Sequence, residues 1–219
     1  MAKTEMEKSK REYLKSFIRK NGKPYTIRSN RDRFFFPDEW FKFNDNLKPR
    51  QKFTFDFLLN TGSRINEARN VKVEDIDLER KRIVLRVTKV ISASKQKTPR
   101  PRIIPISTPF SKYLRKHINQ KKLQGEDYLG ILSTAAANIA MEKTLKKAKI
   151  EDWYMFSVHN VRKTLETWLM ALDVDGLKIT AHIGHSMAVA ARHYISPDVF
   201  SWDEKKKIRM IIGDLYGIQ

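Results

Sequence analysis

The chain has 219 residues, enough for one sizeable core or one domain with a small appendage. A hydrophobic content of 41% argues for a folded chain, and no apolar run approaches the ~18 residues that span a bilayer. Cysteine is absent, which excludes disulfides and thiol catalysis and removes the commonest structural zinc ligand. Lys and Arg number 44 against 25 Asp and Glu, a formal charge of +19, which points to a phosphate-backbone binder.

Residues 1–30 hold nine basic residues and three Glu, after which "NGKPYTIRSN" introduces Gly, Pro and Asn. This predicts a short basic helix and a linker, too small for a core of its own. The first residues contain no apolar signal segment, and a cytoplasmic location is expected. The body of the protein is placed at residues 31–200. It opens with "FFFPDEWFKFNDNL", where Pro37, Asp38 and Glu39 read as a helix start.

"QKFTFDFLLNTGSR" is ambiguous. Phe53, Phe55 and Phe57 alternate as in a strand, yet Phe53, Phe57 and Leu58 also suit a helix face. "INEARNVKVEDIDLE" reads as a short helix and turn. "KRIVLRVTKVI" places Ile83, Leu85 and Val87 on one face and predicts a strand, and "PRIIPIS" a second one. Between them lies a loop with Lys95 and Lys97, so the pair forms a basic hairpin with a long tip. Between Glu79 and Glu126 there are 14 basic residues and no acid. These strand-like, Pro-punctuated segments do not form the basic amphipathic helix of a membrane-surface binder, so nucleic acid is the expected partner. Beyond Thr108 the pattern is helical, through "STAAANIAMEKTLKKAK" and "HNVRKTLETWLMALD". The expected fold class is α+β, mostly helical with a small antiparallel sheet. Residues 201–219 form a tail helix with an apolar stripe of Ile208, Ile211, Ile212 and Leu215.

Five polar residues remain. His159 and Arg162 are three apart at a helix start, on one face, where the helix dipole favours an anion. Taken alone, the pair also reads as a capping histidine and a surface arginine. His182 and His185 are three apart as well, but zinc wants three or four ligands and Gly184 interrupts a rigid helical presentation, so no metal is expected. Tyr194, taken alone, is one of seven tyrosines.

Taken together, "TGSRINEA" (Thr61–Ala68), "HNVR" (His159–Arg162), "IGHS" (Ile183–Ser186) and a Tyr nine residues after His185 resemble the tyrosine recombinase family. This family includes integrases, Xer-type resolvases and Cre-like enzymes. The motifs stand in the family's order, with Arg162 and His185 separated by 23 residues. The resemblance covers residues 31–200 and implies a catalytic domain that cuts and rejoins DNA. It implies Arg64 and Arg162 as the active-site arginines and Glu67 as the acid supporting the first. His159 and His185 fill the two histidine positions, and Tyr194 that of the nucleophile. The catalytic lysine of the family lies on the hairpin. Counting forward through the first strand reaches Lys89, which is preferred, and counting back from "IIPI" reaches Lys97. Lys95, Arg100 and Arg102 are expected to contact DNA.

The chemistry fits these residue types. A tyrosine hydroxyl with a pKa near ~10 must lose its proton as it attacks, and His159 or His185 is available to take it. Two guanidinium forks can hold the non-bridging oxygens as charge builds on them. The resemblance implies a 3′-phosphotyrosyl intermediate with no cofactor, metal or ATP. It further implies an integrase of an archaeal virus or other mobile element, acting on double-stranded DNA as a dimer or tetramer. Residues 201–219 would dock on a neighbouring protomer, with packing on the chain's own core as the plainer alternative. Family members usually carry a DNA-clamping domain ahead of the catalytic one. Here 30 residues precede it, so the chain is expected to be a minimal enzyme, a fragment, or dependent on an accessory DNA-binding partner. The rival functions are relaxation of DNA in the manner of a type IB topoisomerase, and DNA binding without catalysis on the same fold.

Overall fold

The computed structural model of the chain describes residues 32–86, 101–186, 188 and 199–217, together with residue 22 and the backbone of 15–18 and 24–27. Its helices are α1 (Pro37–Asp45), α2 (Pro49–Thr61), α3 (Ile65–Arg69), α4 (Thr108–Lys121), α5 (Thr134–Lys147), α6 (Val158–Ala171), α7 (Gly176–Ile183) and α8 (Trp202–Ile212). The strands are β1 (Lys15–Ile18), β2 (Pro24–Ile27), β3 (Ile76–Asp77), β4 (Arg82–Leu85) and β5 (Arg102–Pro105).

The run Phe34–Phe36 enters the core as extended chain, and its backbone polar groups are met by side chains of α6. Asn160 Nδ2 donates to the Arg33 carbonyl at 2.7 Å, Thr164 Oγ1 accepts from the Phe35 N–H at 2.9 Å, and Trp168 Nε1 donates to the Phe35 carbonyl at 3.0 Å. These three residues recur every fourth position, so one face of α6 reads one extended segment. Around them Phe35 sits 5.4 Å from Trp40, 5.1 Å from Phe43 and 4.4 Å from Phe156, centroid to centroid. Each such pair adds roughly 0.5–1.5 kcal/mol beyond the area it buries. Arg33 is buried just before this run and is clamped by Asp152 at 2.7 Å and Glu39 at 2.6 Å. Helix α1 starts as predicted at Pro37, and the Glu39 carboxylate accepts the Phe36 N–H at 2.9 Å.

The ambiguous phenylalanine segment is helix α2. Phe53, Phe55, Phe57, Leu58 and Leu59 are all buried, so the helix is covered on several sides and neither period emerges from its sequence. The sheet has strand order β3-β4-β5 and is antiparallel, with Ile83 opposite Ile104 and Leu85 opposite Arg102. Ile83 and Leu85 face the core as the alternation predicted, and Ile104 of β5 joins them there. Val87 and the hairpin tip lie outside the described residues.

Two expectations are corrected. The N-terminal stretch is not helical where it is described: β1 and β2 pair antiparallel, Lys15 opposite Ile27 through Ile18 opposite Pro24. Gly22, at φ +77°, supplies the left-handed residue of the intervening turn, and Phe17, Ile18, Tyr25, Thr26 and Ile27 favour strand. In the tail, the stripe packs on the chain's own core rather than awaiting a neighbour. Ile208, Ile212 and Leu215 of this segment are buried against the body. Lys207 reaches Asp38 of α1 at 2.7 Å, and the Asp214 carboxylate accepts the N–H and hydroxyl of Thr108. No described helix is long and apolar enough to cross a membrane.

Candidate active site

The site begins where α2 ends. Gly62 takes the left-handed conformation at φ +55° and its N–H bonds the Leu58 carbonyl at 2.9 Å. A Cβ at this position would stand 2.6 Å from Ile183 Cδ1, so glycine lets α7 close directly onto the turn. Two residues later Arg64 caps α3. Its backbone N–H donates to Glu67 Oε2 at 2.8 Å and its Nη1 to Oε1 at 2.9 Å. Arg102, on β5, places Nη1 and Nη2 on the same carboxylate at 2.9 and 2.7 Å, and its Nε donates to the His182 carbonyl at 3.0 Å. One carboxylate that is 2% exposed therefore holds two guanidiniums from different elements. Burial acts to raise the Glu67 carboxyl, but hydrogen bonds from Arg102 and from the Arg64 N–H outweigh it and hold the group at about 2.

Helix α6 brings His159, exposed in its first turn, and Arg162, which is 4% exposed. Arg162 Nη1 donates to the Gly62 carbonyl at 2.8 Å, which fixes it against the turn that carries Arg64. Burial, and then the neighbouring Arg64 and Arg102 guanidiniums, push Arg162 down to about 9. Arg162 is thus still a cation at pH 7, but one held beside like charges. Glu67 and Glu166 are the acids that oppose this. An anion entering here gains from every guanidinium around it, and the Arg64 side chain, 47% exposed, is open to one.

At the end of α7, Gly184 is left-handed at φ +76° and its N–H closes on the Thr180 carbonyl at 2.7 Å. The turn carries His185 out of the helix toward α6, where its Nε2 lies 3.0 Å from Glu166 Oε1. Glu166 is buried and its other oxygen stands 3.6 Å from Lys163 Nζ. His182 is buried with both ring nitrogens engaged. Nε2 donates to the Thr61 carbonyl at 3.1 Å, and Nδ1 accepts from the Tyr216 hydroxyl at 2.8 Å. Among the described residues no group of three or more His, Asp and Glu could hold a metal ion.

Burial, with Arg102 and Arg162 nearby, pushes His182 down to about 4 from the ordinary imidazole value near 6.5. The folded state thus favours the neutral ring. Its contribution is fully present above about pH 6.5 and is lost as pH falls toward 4, about 3 kcal/mol in all. Asp56, raised by burial to about 6, acts with the opposite sign over much of that window. The difference between wild type and His182→Gln in urea melts from pH 7 to 4 isolates the histidine. The gap should shrink steadily as the pH drops, and a constant gap would contradict the assignment.

The structure therefore brings Arg64, Glu67, Arg162 and His185 around the junction of α2, α6 and α7, with His159 on the exposed start of α6. Arg102, expected at the DNA, has its guanidinium bound inside the protein by Glu67 and the His182 carbonyl. Tyr194, Lys89, Lys95, Lys97 and Arg100 lie outside the described residues. Glu166 escaped sequence reasoning, although its place four residues after Arg162 put it on the same helical face.

A mostly helical domain with a small three-stranded antiparallel sheet matches the fold of tyrosine recombinase catalytic domains. The model of the phage integrase family matches residues 33–199, and the chain belongs to that family. Among solved structures it is similar to XerA recombinase, with a TM-score of 0.58 and 19% identity over 81% of this chain and 64% of that one. The Tn1549 transposon integrase in complex with transposon right-end DNA gives a TM-score of 0.61 and 16% identity, covering 82% of this chain and 65% of that one. XerH bound to difH substrate gives 0.55 and 19%, covering 80% and 55%. The chain thus spans less than two thirds of the length of these proteins. No curated protein sequence matches it.

Proposed function

We propose that the protein is a site-specific DNA recombinase of the integrase type, which cuts and rejoins strands through a 3′-phosphotyrosyl intermediate. The observation that carries this reading is geometric: Arg162, buried and bound to the Gly62 carbonyl, stands against the turn that carries Arg64, and the Glu67 carboxylate that holds Arg64 also holds Arg102. In this reading Arg64 and Arg162 hold the non-bridging oxygens of the scissile phosphate. The Tyr194 oxygen attacks phosphorus, its proton passes to a histidine of the site, and the P–O5′ bond breaks. Lys89, or Lys97 in its place, gives a proton to the leaving 5′ oxygen. Bond energy is kept in the tyrosyl link, so a second 5′-hydroxyl reverses the step without ATP. Glu67 supports the arginines. The partner is double-stranded DNA, bound by a homo-oligomer in the cytoplasm, with Lys95 and Arg100 among the contacts.

Support comes from the charge of +19 and from the similarity to proteins solved with DNA. The test is covalent capture from a pool of nicked duplexes with randomised cores. Wild type should retain a DNA adduct through denaturation, Tyr194→Phe should not, and the captured sequences should converge. An adduct with no convergence, together with relaxation of any supercoiled plasmid, would favour the topoisomerase reading. No adduct at all would leave a DNA-binding protein.

A further inference from the structure

His182 stands just outside the motifs that place Arg64, Arg162 and His185, yet it touches the supports of both arginines. Its ring Nε2 lies 3.1 Å from the carbonyl of Thr61, the last residue of α2. The next carbonyl, that of Gly62, receives Arg162 Nη1, and Arg64 follows two residues later. Through its own carbonyl His182 also takes Arg102 Nε, and Arg102 holds the Glu67 carboxylate that binds Arg64. A carbonyl only accepts, so Nε2 carries the hydrogen and Nδ1 has the lone pair. That lone pair faces the Tyr216 hydroxyl, 2.8 Å away, in the short turn Leu215–Gly217 that ends the described tail. Burial pushes this hydroxyl up to about 12, so it keeps its proton and can donate. The Lys178 carbonyl is a second acceptor for it, but a farther one, at 3.5 Å. Tyr216 takes φ +60°, a conformation rare outside glycine. Its neighbours hold it there: Leu215 is buried, and the Asp214 carboxylate accepts from the N–H and hydroxyl of Thr108 at the start of α4.

We propose that Tyr216 is a positioning residue of the arginine site: its hydroxyl fixes the His182 ring, and the ring fixes the Thr61–Gly62 turn against which Arg162 and Arg64 are set. An imidazole bonded at one nitrogen can still rock about that contact, whereas bonds at both nitrogens fix it within its own plane. Without the hydroxyl, Nδ1 is a buried acceptor that has lost its donor, and the ring gains by shifting toward another one. The shift passes to the Thr61 carbonyl and so to the turn. Gly62 cannot absorb it, because Ile183 and Leu165 close on this residue too tightly to admit even a Cβ. A single oxygen at the end of the chain thereby acts on both arginines, which lie on other elements. The kinetic consequence rests on the recombinase reading, and the contacts do not.

The test is Tyr216→Phe, which removes the hydroxyl and keeps the ring and the rest of the tail. The first measurement needs no DNA. Long-range proton–nitrogen correlation, with His182→Gln to assign the signal, should show His182 as the Nε2–H tautomer in wild type. Its Nδ1 signal should be that of a hydrogen-bonded acceptor and should become that of a free one in Tyr216→Phe. The Gly62 and Arg64 amide signals and the Arg162 guanidinium signal should move with it, while the Thr108 amide, held by Asp214, should stay. The second measurement is single-turnover adduct formation on a captured substrate. Tyr216→Phe should slow it about 10-fold, short of the roughly 10²-fold that an ångström of misplacement costs, with DNA affinity unchanged. On a His182→Leu background the same substitution should have no further effect. An Nδ1–H tautomer in wild type overturns the proposal. So do Gly62, Arg64 and Arg162 signals that stay fixed in Tyr216→Phe, since the hydroxyl would then only anchor the tail. A moving Thr108 amide, or an equal loss of rate on the His182→Leu background, overturns it too, because the effect would not run through the ring. A wild type that forms no adduct while Tyr216→Phe shows the expected shifts would fail the recombinase reading and leave the linkage standing.

Discussion

Arg162→Gln is expected to lower single-turnover strand cleavage by on the order of 10³-fold while leaving the fold nearly as stable as before. The two halves of this result have one cause. Arg162 is buried beside Arg64 and Arg102, so its charge is held against repulsion in the free protein. Removing that charge relieves the repulsion, and a glutamine amide can still donate to the Gly62 carbonyl that Arg162 now serves. In the recombinase reading, what is lost is a planar cation beside the phosphate on which charge builds. Arg162→Lys should fall between the two, because an ammonium is a point charge and cannot make the paired contacts of the fork. Rapid-quench kinetics with thermal melts on the same samples checks both halves. Cleavage at the wild-type rate in Arg162→Gln would remove the residue from the reaction.

Glu67→Ala should have the largest effect on stability, about 3–5 kcal/mol in urea melts, because it strands partners inside the protein. Arg102 would lose both of its carboxylate contacts and Arg64 both of its own, leaving a cluster of guanidiniums with the Arg64 N–H uncapped. Cleavage should fall as well, since Arg64 would no longer be held. The sign of the pH dependence follows from the depressed carboxyl, at about 2 in the fold against 4.5 for a glutamate in water. The stabilisation is fully present above about pH 4.5 and is lost as pH falls toward 2, about 3 kcal/mol in total. Wild type should therefore lose stability over that acid range and Glu67→Ala should not share the loss. Parallel curves for the two proteins would show that Glu67 is not the titrating group.

Much of this was legible in the sequence because it rests on local rules. Pro37 with Glu39 marks a helix start, alternation at Ile83 and Leu85 marks a half-buried strand, and the ordered short motifs brought Arg64, Arg162 and His185 to one family pattern. What stayed hidden depends on three-dimensional neighbours. The period of α2 was unreadable because its surroundings bury it on several sides. Arg102 sits among basic hairpin residues, so it reads as a DNA contact until Glu67 is seen beneath it. Glu166 reads as an ordinary helix acid, and only the turn at Gly184 brings a histidine to it. The stripe of the tail fits a neighbour's core and its own equally well in sequence, and packing within the chain decided it. The basic residues of the N-terminal segment suggest a helix, whereas its described backbone follows Gly22 and the β-branched and aromatic residues around it.

In the recombinase reading, Tyr194 forms the bond to DNA within the arginine site. Its most direct test is to digest the captured covalent complex with trypsin and nuclease and to sequence the modified peptide by mass spectrometry. A single phosphotyrosine is expected at Tyr194, joined to a 3′ end, with a free 5′-hydroxyl on the released strand. A nucleotide on any other side chain, or a 5′ linkage, would contradict it.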